Sequence, residues 1–204
     1  MEKGITTKKP TVCVLGGPNG SGKTTFFTKW LSKKFPSIEF VNADVIALEL
    51  SQKSPEKVPI AAGKQVLRRL EELKNERIDF AFEATLTANW HFKYLRELKG
   101  NGFRIILFFL WLRTEDLAVQ RVVERHQKGG HFVPERDVRR RYLKSIYNMH
   151  NLYRRIADDW FIYDNSEEEL SQLVASFEGG RFEIKNRRLY DGILKEVKAY
   201  EKSL

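Results

Sequence analysis

Residues 14–25 of this 204-residue chain read VLGGPNGSGKTT, with four glycines between positions 16 and 22, then a lysine and two threonines that lead into the apolar, amphipathic run FFTKWL. Gly17-Pro18-Asn19-Gly20-Ser21-Gly22-Lys23-Thr24 satisfies the spacing G-x-x-x-x-G-K-[ST]. It has the setting that the mechanism of such a loop requires, an apolar strand before it and a helix after it. Glycines let the backbone approach phosphate oxygens closely, and successive N–H groups at a helix N-terminus form an anion nest. On this reading Gly17 to Thr25 cradle the phosphates of ATP. Lys23 reaches the β- and γ-phosphates as a catalytic group, and the Thr24 hydroxyl ligates Mg²⁺. A glycine-rich turn without a ligand is the weaker alternative.

Working outward, short apolar runs at 11–16, 38–42, 78–83, 103–112 and 160–164 alternate with amphipathic stretches at 22–34, 58–76, 87–99, 114–127 and 134–157. Strand and helix in alternation build a parallel sheet covered on both faces. The expectation is an α/β fold of the P-loop NTPase type, doubly wound and mainly parallel, with a short helical lid over about 121–141. The tail adds a short strand at 181–185 and a helix at 189–202 with Leu189, Ile193, Leu194 and Val197 on one face. With no internal repeat and no Gly/Ser linker, one domain over 1–204 is the economical reading.

Composition narrows the partners. A hydrophobic share of 42% supplies one substantial core, and a formal net charge of +9 favours anionic partners. No apolar stretch approaches the roughly 20 residues that span a bilayer. The polar N-terminus MEKGITTKKP has no signal-peptide core, so a cytoplasmic location is expected, without membrane attachment. Cys13, the single cysteine, sits in an apolar run and reads as an inert core thiol. His91, His126 and His150 lack metal-ligand spacing. Trp90, Trp111 and Trp160 read as core, as does Trp30 on the apolar face of the first helix.

A phosphate loop names the donor and leaves the acceptor open. A small kinase needs a carboxylate to take the acceptor proton, acceptor contacts near the strand ends, and arginines over the transferring phosphate. Asp44, ending VNAD, is equally a helix cap or a catalytic base by spacing alone. Glu83 ends IDFAFE, where a half-buried charge calls for a ligand, a cation or water, and Thr85 faces the same side if the strand continues. Arg121 and Arg125 share a helix face, and a Gly-Gly hinge leads to a helix opening near Pro134 that carries Arg139, Arg140 and Arg141. Paired guanidinium groups at a hinge suit a closing lid, with a solvated basic patch as the bland alternative.

The segments GGPNGSGKTT, VNADVIA, AGKQVL, FEATL, RVVERHQKGGHFVPERDVRRRYLKS and IYDNS, in order along residues 14–166, resemble the zeta toxin family of P-loop kinases, in particular its short chromosomal members. That family transfers the γ-phosphate of ATP to the 3′-hydroxyl of the amino sugar of UDP-N-acetylglucosamine. The resemblance implies Asp44 as the base, Glu83 and Thr85 at the sugar nucleotide with Arg139 nearby, and Arg125 with one of Arg139, Arg140 and Arg141 at the transferring phosphate, Arg140 being the first choice. Arg121 joins Arg125 at the nucleotide. Leu86 and Thr87 stand where the toxins often carry an arginine, so the acceptor pocket differs there. A UDP-sugar or another small hydroxyl acceptor is the expected substrate, and a small antitoxin an expected partner. The alternatives are a kinase for an antibiotic or metabolite and, from the net charge, a nucleic-acid-binding P-loop protein or polynucleotide kinase.

Overall fold

A computed structural model describes residues 9–43, 45–47, 58–130, 132–167 and 170–204, with only the backbone at 58–60. Asp44 and His131 lie outside the described residues.

Within them, β1 (Thr11–Gly16), β2 (Glu39–Val41), β3 (Phe80–Ala84), β4 (Arg104–Trp111), β5 (Asp159–Asp164), β6 (Gln172–Glu178) and β7 (Arg181–Ile184) form one sheet of order β2-β3-β1-β4-β5-β6-β7. The pairs from β2 to β5 are parallel, and β6 and β7 add antiparallel at one edge. The sheet is therefore mainly parallel, as expected, with β6 an addition. QLVASFE carries polar residues inside its short apolar run, and its burial comes from pairing with β5 rather than from its own pattern.

The first helix, α1, opens as Lys23–Phe26, passes through a π-helical turn at Phe27–Leu31 and ends at Ser32–Lys34. It is followed by α2 (Val58–Glu76), α3 (Asn89–Gly100), α4 (Glu115–Gln127) and α5 (Glu135–Asn148), the last continued by a second π-helical turn, Met149–Tyr153, and by Arg154–Ile156. The chain closes with α6 (Arg187–Glu201), whose first turn is capped by the Asn186 side chain accepting from Leu189 N.

The period of two along the strands divides the core between the two faces of the sheet. Val12, Val14, Phe80, Phe82, Ile105, Leu107 and Phe109 face one side. Cys13, Leu15, Ala81, Ile106, Phe108 and Leu110 face the other, together with Phe26 and Leu31 of α1. Burial pushes the Cys13 thiol up to about 12, so it is inert at neutral pH. The π-turn corrects the placement of Trp30. Phe26 and Leu31, five residues apart, both reach the sheet, and Trp30 is turned outward and 57% exposed. Trp111 and Trp160 are core residues.

One polar knot ties the end of β4 to α5 and α6. Trp111 Nε1 donates to Glu196 Oε2 (2.8 Å), and the Tyr142 hydroxyl lies 2.6 Å from the Leu112 carbonyl oxygen and 2.7 Å from Glu196 Oε1. A hydroxyl has one proton and the carbonyl can only accept, so both contacts are satisfied when Glu196 is protonated and donates to Tyr142. Burial pushes the Glu196 carboxyl up to about 7, against the pull of the Trp111 donor, and Glu115 adds to the rise.

Candidate active site

β1 delivers the chain to the phosphate loop from within the sheet, beside Ala84 of β3 and Phe109 of β4 at Gly16. Two glycines there are required by geometry. Gly17 has φ 144°, and a Cβ on it would lie 2.4 Å from the Leu110 carbonyl oxygen. Gly22 has φ 79°, and its Cβ would lie 2.5 Å from Asn165 Nδ2. No side chain fits at either place, so the backbone itself lines the concavity. Ser21 N donates to Pro18 O (3.3 Å), closing the turn, and Phe26 N donates to Gly22 O (2.9 Å), starting α1. The Lys23 ammonium reaches back into the loop and donates to the carbonyls of Gly17 (3.1 Å) and Pro18 (3.0 Å).

Strand parity brings the first carboxylate. Phe80, Phe82 and Ala84 of β3 point to one face, which leaves Glu83 on the face where α1 begins. There Thr24 Oγ1 donates to Glu83 Oε2 (3.0 Å) and accepts from Asn42 Nδ2 (3.3 Å), Asn42 being the residue after β2. A hydroxyl paired with a carboxylate at the mouth of an anion nest fits Mg²⁺, which takes few protein ligands and completes its shell with phosphate oxygens and water.

In front of the loop is a cavity of about 720 Å³ lined by Gly20, Gly22, Lys23, Thr24, Thr25, Lys29, Glu83, Arg121, Glu124, Arg125, Lys128, Gly129, Gly130 and Asn165. Five basic side chains against two acidic ones make it a site for a polyanion. Helix α4 supplies one wall. Its N-terminus is capped by Thr114 Oγ1 accepting from Leu117 N, and its inner face carries Arg121 and Arg125. Arg121 donates from Nη1 to Asn165 O (2.7 Å) and from Nη2 to Ser166 O (2.8 Å). The Gly-Gly pair has a local role at the end of α4. Gly129, at φ 86°, turns the chain out of α4, and Gly130 N donates to Arg125 O (3.0 Å), so the pair caps the helix.

Of the residues singled out from the sequence, the structure gathers Gly20, Gly22, Lys23, Thr24, Thr25, Glu83, Arg121 and Arg125 around one cavity, and does not bring Gly17, Pro18, Asn19, Ser21, Thr85, Arg139 or Arg140 to its lining. For Thr85 the reason is that β3 stops at Ala84. Leu86 then takes φ 59°, its carbonyl accepts from the buried Asn148 Nδ2 (2.6 Å), and Thr85 pairs with Thr87 (2.8 Å). Arg139 is occupied by Glu115, Asp116 and Glu135, which brace α5 against the start of α4. Arg140 pairs with Asp137 in its own helix. The sequence pattern does not single out Asn42, Lys29, Glu124, Lys128 or Asn165. Asn42 had a visible signal, a polar residue ending a strand, and the two lysines had none beyond charge.

An α/β sheet carrying this loop, helix and basic cavity defines a P-loop protein of kinase-like architecture. Residues 12–146 match the family described as AAA domain, and the chain belongs to that family. An uncharacterized protein of Haemophilus influenzae is 29% identical over 127 residues, covering 62% of this chain and 88% of its own length. Among solved structures, the AvrRxo1-ORF1:AvrRxo1-ORF2 complex with ATP superposes with a TM-score of 0.74 at 19% identity, covering 91% of this chain. This chain spans 63% of the length of that neighbour. The PezAT chromosomal toxin–antitoxin system of Streptococcus pneumoniae gives a TM-score of 0.63 at 20% identity, covering 97% of this chain and 90% of that one. At these identities the likeness is one of fold.

Proposed function

We propose that this protein is a kinase of the zeta toxin type, transferring the γ-phosphate of ATP, with Mg²⁺, to a hydroxyl of a small molecule in the cytoplasm. UDP-N-acetylglucosamine or a related UDP-sugar is the first acceptor to test. The observation that carries this reading is the convergence of Lys23, the Thr24–Glu83 pair, Arg121 and Arg125 on one basic cavity.

Mg²⁺, when bound, would supply neutralising charge at the phosphates. Lys23 exchanges its loop carbonyls for the β- and γ-phosphates, so its charge is delivered from within the nest. Thr24 would hold the metal through its hydroxyl oxygen, and Glu83, bonded to that hydroxyl, would orient it. This puts Glu83 on the metal side of the site rather than at the sugar. Arg125 offsets charge on the transferring group. Asp44 follows Asn42 and Ala43 beyond β2 and is assigned as the base. It takes the proton of the acceptor hydroxyl as that oxygen bonds to the γ-phosphorus and the bond to the bridging oxygen breaks, releasing ADP. A small antitoxin partner belongs to the same reading, supported by the fold likeness to PezAT.

The test is incubation of the purified chain with γ-labelled ATP, Mg²⁺ and a panel of UDP-sugars, nucleosides and aminoglycosides, with Lys23→Ala as control and products read by mass. A phosphorylated UDP-sugar, absent from the control and from Asp44→Asn, is expected. Label on a different acceptor would keep the kinase and discard the UDP-sugar. Phosphate on no acceptor at all would overturn the reading.

A further inference from the structure

The segment IYDNS, residues 162–166, has no part in the reaction described above, yet its asparagine stands between the phosphate loop, α4 and the end of β4. Asn165 Nδ2 donates to Ser21 O in the loop (2.7 Å), and the same amide nitrogen closes the space above Gly22, 2.5 Å from where a Cβ would be. Asn165 Oδ1 accepts from Ser171 Oγ (2.5 Å), while its main-chain N–H donates to Trp111 O (2.8 Å) and its carbonyl accepts from Arg121. Below it, the buried Asp164 carboxylate accepts from Ser166 N and Oγ and from Arg113 Nε, which fixes the turn.

This pattern determines the orientation of the amide. Ser21 O can only accept, so the nitrogen must face the loop, and the Ser171 hydroxyl holds the oxygen side. Loop backbone, α4 arginine, the end of β4 and the start of β6 are thus joined through one side chain and its peptide unit.

We infer that Asn165 is a positioning residue for nucleotide binding, holding the Ser21–Gly22 peptide and Arg121 in the geometry that receives the phosphates. The inference rests on the nucleotide-binding part of the proposed function and concerns the donor, not the acceptor. Asparagine is specific here. Aspartate would set a carboxylate oxygen against the Ser21 carbonyl and a negative charge beside the phosphates, and alanine would leave that carbonyl without its donor.

The experiment is a titration of the full-length chain with a fluorescent ATP analogue, alongside thermal unfolding without nucleotide, for wild type, Lys23→Ala, Asn165→Ala, Asn165→Asp and Ser171→Ala. Asn165→Ala is expected to weaken binding about tenfold, the effect of one lost hydrogen bond. Asn165→Asp is expected to weaken it about a hundredfold through the added charge. Ser171→Ala should weaken binding about threefold at an unchanged melting temperature, since it removes only the group that orients the amide. Wild-type affinity in Asn165→Ala would overturn the inference while leaving nucleotide binding intact. If Asn165→Ala does not fold, wild-type affinity in Ser171→Ala overturns it instead. No binding by the wild type would overturn both this inference and the functional reading beneath it.

Discussion

The cavity at the phosphate loop and the arginine-bearing face of α5 are both rich in positive charge, and they are held in opposite ways. The loop is fixed by elements distant in sequence. Leu110 O crowds Gly17, Asn165 tethers Ser21, and Lys23 rests on loop carbonyls that phosphate oxygens would replace. The α5 arginines are held by carboxylates close at hand, Arg139 by Glu115, Asp116 and Glu135 and Arg140 by Asp137. The first region has donors directed at a cavity; in the second, Arg139 braces two helices and Arg140 is paired within its own. Positive charge near a motif does not by itself make a binding residue; the acceptors already around it decide.

The largest effect expected from this contrast is at Lys23. Alanine there should reduce ATP affinity by about a hundredfold and abolish turnover, as measured by isothermal titration and product mass. Retained turnover would remove the loop from the chemistry. Glu83→Gln keeps an acceptor for the Thr24 hydroxyl and loses the charge, so turnover should fall about a hundredfold while ATP affinity measured without Mg²⁺ stays near wild type. Equal loss with and without Mg²⁺ would move Glu83 away from the metal.

Stability offers the next test, at Glu196. The folded chain keeps this carboxyl protonated up to about 7, whereas its ordinary value is 4.5. Between those values the folded state binds more protons than the unfolded one. Stability should therefore fall as pH rises through that window, by up to about 1.4 kcal/mol per unit, and level off above it. Urea unfolding between pH 5 and pH 8 should show that slope in wild type and a flatter one in Glu196→Gln, whose amide replaces the protonated acid. An unchanged slope would mean that Glu196 is not the group that titrates. The smallest effect is at Arg139, where alanine should lower the melting temperature by about 2 °C and leave turnover within about threefold. A large loss of turnover with unchanged melting would return Arg139 to the active site.

Much of the fold was legible because its signals are local. TVCVLG and FRIILFFLWL are continuous apolar runs, as strands buried on both faces must be, and the Gly/Lys/Thr pattern of residues 17–24 has one structural meaning in that setting. Less was legible where a local pattern admits two readings. Gly129 and Gly130 suit a hinge or a helix cap, and the cap is present because Gly130 N finds Arg125 O. Thr85 shares the face of Glu83 only if β3 continues, and the strand ends because Leu86 turns at positive φ toward Asn148. Trp30 belongs to the apolar face of an α-helix but not to that of a π-turn.

By itself, the sequence determined the phosphate loop, the alternation of strand and helix, and the side of β3 on which Glu83 stands. Each depends on residues within a few positions of one another, where backbone sterics and side-chain period leave little choice. Tertiary structure alone decided that Asn165, 144 residues from Ser21, would hold the loop, and that Arg139 would brace two helices. Those outcomes depend on which donors and acceptors folding brings within about 3 Å, a pairing that no local pattern encodes.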